Sequence, residues 1–411
     1  MTTNNQLYFA IQSNNEEYIK TLLTQGSDPN ETIEINEDGD TPLCCSIRNN
    51  LPNIVELLIK YGADVNKPTK YCETPLLIAV RIDLTNIVEL LLNKGADMHK
   101  SSHGVSPLHI AVYCNNHTEI LELFLKMGIN DAIPYEDIFK LAIENNQPTI
   151  VELLINMSIG VNKPNYRDET PLMIATKYNR LNIVELLINM GADINTPNFN
   201  GNTPLHRVIK YNHPNIVELL INMGADMNRQ NNDDYTPFHY ALDTKNIDMI
   251  DTFLKNGADV NIANRYGETP LHYVCRNKLT NIVDRIIKMG ADVNKSDKNG
   301  STPLHIALEN KYNINIDIIE ILLKHGADVN KRNERNNYTP LEWAIHYEHS
   351  TAVELLFKYG ANPHIKNING KTPLDYAIEK DNIEIISLIK TYIRQQFLAN
   401  CIELRKTTNW R

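Results

Sequence analysis

Five histidines, His109, His206, His239, His272 and His305, occupy the same place in a recurring four-residue box, and the last four follow one another at 33 residues. A histidine series first invites a metal reading. Zinc gathers its ligands at about 2.0–2.1 Å from one point, whereas these rings sit on separate repeats, roughly one layer apart. The local alternative is stronger. Each imidazole stands three positions after a Thr or Ser, where it can hydrogen-bond around the start of a helix. Glu56, Glu89, Glu185 and Glu218 also recur once per repeat, and they read as a solvated helix face rather than as paired catalysts. No G-x-x-x-x-G-K-[ST], G-x-S-x-G or H-E-x-x-H occurs. The chemistry-bearing residues therefore point away from an enzyme and away from a bound metal or cofactor.

The elements that hold these residues are short. The box Thr-Pro-Leu-His opens at Thr203, Thr236 (with Phe238 for Leu), Thr269 and Thr302, and less perfectly at Thr41, Thr74, Ser106, Thr170, Thr339 and Thr372. In the unit Thr269–Asn294, Thr269 suits an N-cap and Pro270 the first helical position, where no N–H is needed. Leu271, Val274 and Cys275 then face inward. A second helix starts near Asn281, with Ile282, Val283, Ile286 and Ile287 apolar on more than one face, so it needs neighbours on both sides. Gly290 ends it in a left-handed conformation. Lys298-Asn299-Gly300 reads as a turn before the next box.

The second helix returns almost verbatim. Asn-Ile-Val-Glu-Leu-Leu starts at Asn53, Asn86, Asn182 and Asn215, and Gly-Ala-Asp at Gly62, Gly95, Gly191, Gly224, Gly257, Gly290 and Gly326. Box, second helix and Gly-Ala-Asp-Val-Asn together resemble the ankyrin repeat over roughly residues 40–390, with the look of ankyrin proteins from large DNA viruses, amoebae and intracellular bacteria. The resemblance implies an all-α solenoid of about twelve helix-turn-helix units with short β-hairpin-like turns. Residues 1–40 read as a degenerate capping repeat, with Leu22, Leu23, Gly26 and Asn30 in place and an insertion near Glu31–Asp40. Residues 41–390 read as the array and 391–411 as a cap or tail. A degenerate unit occupies 137–162, where Asp137-Ile138-Phe139-Lys140 replaces the box and Ser158 the helix-ending glycine. Extra residues lengthen Asn310–Asp317 and Lys331–Tyr338.

The bulk numbers narrow the partners. Fifty acidic against 40 basic residues give a net charge of −10, which disfavours nucleic acid. No apolar run approaches the ~20 residues of a membrane span, and no signal core opens the chain. The six cysteines (Cys44, Cys45, Cys72, Cys114, Cys275, Cys401) form no C-x-x-C pair and read as reduced thiols. The expectation is a cytoplasmic monomer that binds a protein.

The resemblance implies a concave binding surface of turn tips and first-helix ends. Box and second helix stay fixed between repeats, so packing explains them. The variable exposed positions are left to specify a partner. Aromatic and basic residues fill these positions: Tyr71, Tyr166, Phe199 and Tyr266 at tips, with Arg167 and Arg265 adjacent; Tyr113, Tyr178, Tyr211, Tyr347, Arg48, Arg81, Lys177, Lys210 and Arg276 on first helices. They are densest between Tyr166 and Tyr211. The expected contact patch is Tyr166, Arg167, Lys177, Tyr178, Phe199, Lys210 and Tyr211, since aromatics and arginines anchor interfaces. Two alternatives follow from the family resemblance. One is an adaptor for a host ubiquitin ligase, although the tail Gln395–Leu404 is short and lacks a Leu-Pro opening. The other is a substrate of an asparagine hydroxylase at Asn66, Asn261, Asn294 and Asn330.

Overall fold

The computed structural model describes residues 3–32, 39–113, 117–127, 135–156 and 160–407. Cys114, Ser158, the middle of the Glu31–Asp40 insertion (33–38), residues 408–411, and the side chains of Tyr113 and Asp137 lie outside that description. The described residues form 24 helices, which pair into twelve helix-turn-helix units. The chain divides into two compact units, Met1–Asp193 and Ile194–Arg411, each built from six of these pairs.

Ten first helices begin at a proline, from Pro42 to Pro373. The preceding Thr, or Ser106, sits outside the helix. Thr203, for example, has φ −76° and ψ 168°, and its hydroxyl accepts from the His206 N–H. First helices are brief, mostly seven residues, as in Pro270–Arg276. They end where the chain turns through a positive φ at Asn50, Asn179, Asn212 or Lys278, a region that asparagine tolerates better than most residues. Second helices such as Pro214–Asn222 bury Ile216, Val217, Leu220 and Ile221.

Within each unit, successive first helices pack on one another, and most successive second helices do the same. That stacking explains the all-round apolar character of the second helix. Ile54, Val55 and Leu58 are at most 1% exposed, as are Ile183, Val184 and Leu187. Each such side chain contributes roughly 1.5–3 kcal/mol on burial. A single pair could not hide them, and only its neighbours supply the second wall.

The turns are stitched tip to tip by one or two backbone bonds. Asn232 N–H donates to the Asn200 carbonyl (3.1 Å), Lys298 to Tyr266 (3.0 Å) and Glu334 to Asn299 (2.9 Å). Among the described residues the one β-bridge is Ser102–Val105, so the hairpin-like turns do not extend into strands. Gly300 shows why a tip needs glycine: at φ +74°, a Cβ there would meet the Glu334 backbone nitrogen at 2.3 Å. A second ladder joins the asparagines after Gly-Ala-Asp. Asn294 Nδ2 donates to the Gly326 carbonyl at 3.0 Å, and its Oδ1 accepts from Asp328 N–H at 2.7 Å. Asn66, Asn261 and Asn330 make the same pair of bonds to the following repeat.

The departures from register have local causes. In the degenerate unit the first helix runs Tyr135–Glu144, longer at its start than the box helices, because no Thr-Pro sets its first turn. Phe139 and Ile150 are buried there and Leu141 is half-buried. The lengthened 310–317 segment separates the helices Pro303–Leu308 and Ile316–Lys324. At the C-terminus, Ile383–Thr407 is one helix of 25 residues, running through residue 390 without a break.

Candidate protein-binding surface

The box histidines cap their own helices, and three of them also reach the next turn. His206 Nδ1 accepts from the Thr203 N–H at 3.2 Å, and its Nε2 bonds the Tyr235 carbonyl of the next turn at 3.0 Å. His272 and His305 repeat the arrangement to the Ser301 and Tyr338 carbonyls at 3.1 and 3.3 Å. His239 makes the same cap at 3.2 Å; its Nε2 faces the Glu268 backbone with no partner inside hydrogen-bond distance. One ring nitrogen must accept and the other donate, so the ring must be neutral. Burial enforces this, lowering His206, His239 and His305 from 6.5 to about 4. In two boxes that lack histidine a carboxylate closes the same cap: Glu342 accepts from the Thr339 N–H and Asp375 from the Thr372 N–H, both at 2.9 Å; at Cys44, Leu77 and Met173 no side chain does so.

Three of the described thiols are buried, while Cys72 is exposed. Burial pushes the thiols of Cys44 and Cys45 up to about 12 and about 11, and raises Cys275 further. Among the described residues no three of His, Cys, Asp and Glu gather as a metal site. No described helix is long and apolar enough to cross a membrane. The amides of Asn66, Asn261, Asn294 and Asn330 bridge repeats.

The tips are a different environment. In most tips a buried Asn holds the loop: Asn198 Oδ1 accepts from the N–H of Asn200 (3.1 Å) and Asn202 (3.0 Å), and Asn165 does the same for Arg167 and Glu169. The loop backbone is thus pinned while the next side chain projects. Tyr166 is 75% exposed and Phe199 68%, with Arg167 laid 5.3 Å from the Tyr166 ring.

The expected patch is distributed over the two compact units. On residues 1–193 stand Tyr166, Arg167, Lys177 and Tyr178. Lys177 and Tyr178 are half-buried, with the ammonium 5.2 Å from the ring. On residues 194–411 stand Phe199, Lys210 and Tyr211. Lys210 is exposed. Tyr211 is half-buried, stacked on His213 at 6.4 Å, and its hydroxyl accepts from Arg207 at 3.0 Å. Several neighbouring candidates are tied to the scaffold. Arg48 pairs with Asp40 at 3.1 Å and Glu73 at 2.9 Å, Arg81 with Glu73, and Arg276 with Glu268.

Sequence reasoning missed the densest aromatic cluster. Trp343 stacks on Tyr347 at 5.4 Å, the Tyr338 ring lies 6.2 Å from Trp343, and His346 Nδ1 bonds the Tyr376 hydroxyl at 2.6 Å. These residues come from two stretches, 338–347 and the next first helix at Tyr376, and repeat stacking joins the second to the first. Position alone could have signalled it, because Trp343, His346 and Tyr347 share one first helix, Pro340–His346, and its cap.

Stacked helix pairs whose polar side chains are spent on caps and ladders define a repeat solenoid, a class that presents surface instead of a reaction centre. The chain belongs to the ankyrin repeat family: the family model "Ankyrin repeats (3 copies)" matches at 2–69, 67–133, 127–198, 196–264, 252–333, 274–367 and 315–396. Ankyrin repeats are protein-interaction modules. Relatives include the human 2-5A-dependent ribonuclease, 34% identical over 73 residues, 18% of this chain and 10% of that protein. A fowlpox virus (strain NVSL) ankyrin repeat protein is 40% identical over 80 residues, 19% of this chain and 13% of its own length. The matches thus span a small part of these relatives, and the ribonuclease activity is not carried over. The solved ankyrin repeat domain of Bcl-3 aligns with a TM-score of 0.47 and 24% identity, covering 62% of this chain and 99% of that one.

Proposed function

We propose that the chain is a non-catalytic scaffold or adaptor that holds a partner protein against its turn tips and first helices. The observation that carries this reading is the pairing of exposed aromatics with pinned backbone. Tyr166, Phe199 and Tyr266 are 75%, 68% and 57% exposed on loops already fixed by Asn165, Asn198 and Asn264. Such anchors lose little conformational freedom on binding, and aromatics dominate interface energetics. Tyr166, Arg167, Lys177 and Tyr178 form the contact set on the first unit; Phe199, Lys210 and Tyr211 form that on the second. The free thiols Cys44, Cys45 and Cys275 suit a reducing cytoplasm. Similarity to fowlpox ankyrin repeat proteins makes a host protein the first partner to test.

The experiment is a comparative affinity purification from cells. The partner should be retained by the wild-type chain and lost from a Tyr166→Ala/Tyr178→Ala variant that keeps its helical circular dichroism. Equal recovery by both proteins would reject these contacts.

A further inference from the structure

Within residues 194–411, a groove of about 310 Å³ opens among turn tips and first helices of adjoining repeats. Two features set its lining apart. The first is a pair of buried donors without acceptors, Asn333 Nδ2 and Trp343 Nε1, on residues only 1% and 7% exposed. At one other tip the equivalent asparagine is satisfied: Asn231 Nδ2 donates to Asn202 Oδ1 at 2.8 Å and to the Tyr240 hydroxyl at 3.0 Å; Asn367 Nδ2 shares the unpartnered state of Asn333 but has no orphaned indole beside it. In the groove, Ser301 stands where Asn202 does and Trp343 where Tyr240 does. An indole N–H only donates, so a donor replaces the acceptor that Asn333 needs. Buried donors are rarely left unmade, and these two have room for an acceptor from outside the chain, a water or a carbonyl oxygen.

The second feature is an excess of carboxylate. Glu268, Asp297 and Glu309 line the groove against Arg276 and Arg335. Arg276 is taken by Glu268 and stands 4.0 Å from Glu309. Asp297 Oδ1 accepts from the N–H of Asn299 and Ser301, each at 2.8 Å. Burial raises the Glu309 carboxyl, and Asp297 and Glu268 raise it further, against Arg276 and Arg335. A cation brought between these groups would relieve that repulsion.

We propose that this groove holds an arginine-bearing extended segment of a partner protein. Its backbone carbonyl accepts from Asn333 and Trp343, and its guanidinium pairs with Glu309 and Asp297. A planar, weakly hydrated guanidinium matches carboxylate geometry better than an ammonium does, and Tyr266 supplies an exposed ring face on the same groove. The proposal rests on the reading of the chain as a protein-binding scaffold and adds the chemistry that one stretch of it selects.

Trp343 is its own reporter. The chain has two tryptophans, Trp343 and Trp410, so Trp410→Phe leaves one indole. Titration with an acetylated, amidated Gly-Arg-Gly-Arg-Gly peptide should give a saturable change in Trp343 emission. The citrulline and glutamate counterparts should bind at least about tenfold more weakly, since neither offers a guanidinium to the carboxylates. Asp297→Asn with Glu309→Gln should cause a similar loss; asparagine at 297 keeps the turn, as it does at the other tips. Trp343→Tyr, followed by calorimetry, should also weaken binding, because tyrosine satisfies Asn333 internally as at Tyr240. No saturable change, an equal response to the glutamate peptide, or indifference to the carboxylate variants would overturn the proposal and leave the groove a water site. The partner-retention test on Tyr166 and Tyr178 is read independently, so failure of the groove and failure of the scaffold reading are told apart.

Discussion

The buried box histidines make the second compact unit sensitive to mild acid. The rings of His206, His239 and His305 are lowered to about 4 from 6.5. Their folded pKa lies below the unfolded one, so the unfolded chain takes up protons first as pH falls. Their contribution is intact above about 6.5, declines through the window down to about 4, and falls no further below it. At about pH 5 the unfolded ring is favoured by a proton-binding factor of about 30, or roughly 2 kcal/mol per ring. Three rings give about 6 kcal/mol if they open together, comparable to the whole stability of many domains. Urea unfolding followed by far-UV circular dichroism, at about pH 7.5 and about pH 5, reads this loss. The control is a His206→Gln/His239→Gln/His305→Gln variant, since a carboxamide can accept from the Thr N–H and donate to the next carbonyl without titrating. Carboxylates titrate alike in both proteins, so the wild type should lose more stability than the variant by about 2 kcal/mol per ring. An equal loss in the two proteins would refute the neutral, buried capping role of these histidines.

Further outcomes follow from the packing. Gly300→Ala should destabilise by at least about 1–2 kcal/mol, the cost of a left-handed alanine, and more as the Cβ displaces Glu334; an unchanged urea midpoint would show that the tip yields freely. Asn294→Ala removes both bonds to the next repeat and should cost about 1–3 kcal/mol, with faster exchange at the Asp328 amide; unaltered exchange there would deny the ladder a role. The degenerate unit at 137–162 should exchange hydrogen faster than residues 203–300, because nearest-neighbour coupling makes the weakest repeat the opening point; equal protection would mean that Phe139 and Ile150 replace the missing box.

Much of the fold was legible because its determinants are local. Thr-Pro fixes a cap and a first turn, Gly290 and its equivalents end a helix, and the apolar second helix announces a stacked neighbour. The internal half of the histidine role was legible too, from the three-residue step between Thr203 and His206. The other half was hidden. The Nε2 partner lies 29 residues ahead, at the Tyr235 carbonyl, and nothing in a single box names it. Glu342 and Asp375 looked like imperfect boxes, yet they close the same cap by different chemistry. The binding surface was least legible. Exposure of Tyr166 and Phe199 followed from tip position, whereas the fate of arginines depended on carboxylates of the turns: Arg48 is held by Glu73 of the next turn and Arg276 by Glu268 of its own. The donors Asn333 and Trp343 become conspicuous only beside Asn231 and Tyr240, after repeat registers shifted by the extra residue near Lys331–Tyr338 are aligned in space.

The central claim is that turn tips and first helices meet the partner while second helices serve packing. Hydrogen exchange of the chain with and without its co-purified partner tests it most directly. Protection should concentrate at tips such as 164–168 and 197–201 and at first helices such as Pro171–Lys177 and Pro204–Lys210. Protection centred instead on the second helices Leu181–Asn189 and Pro214–Asn222, with the tips unchanged, would contradict it.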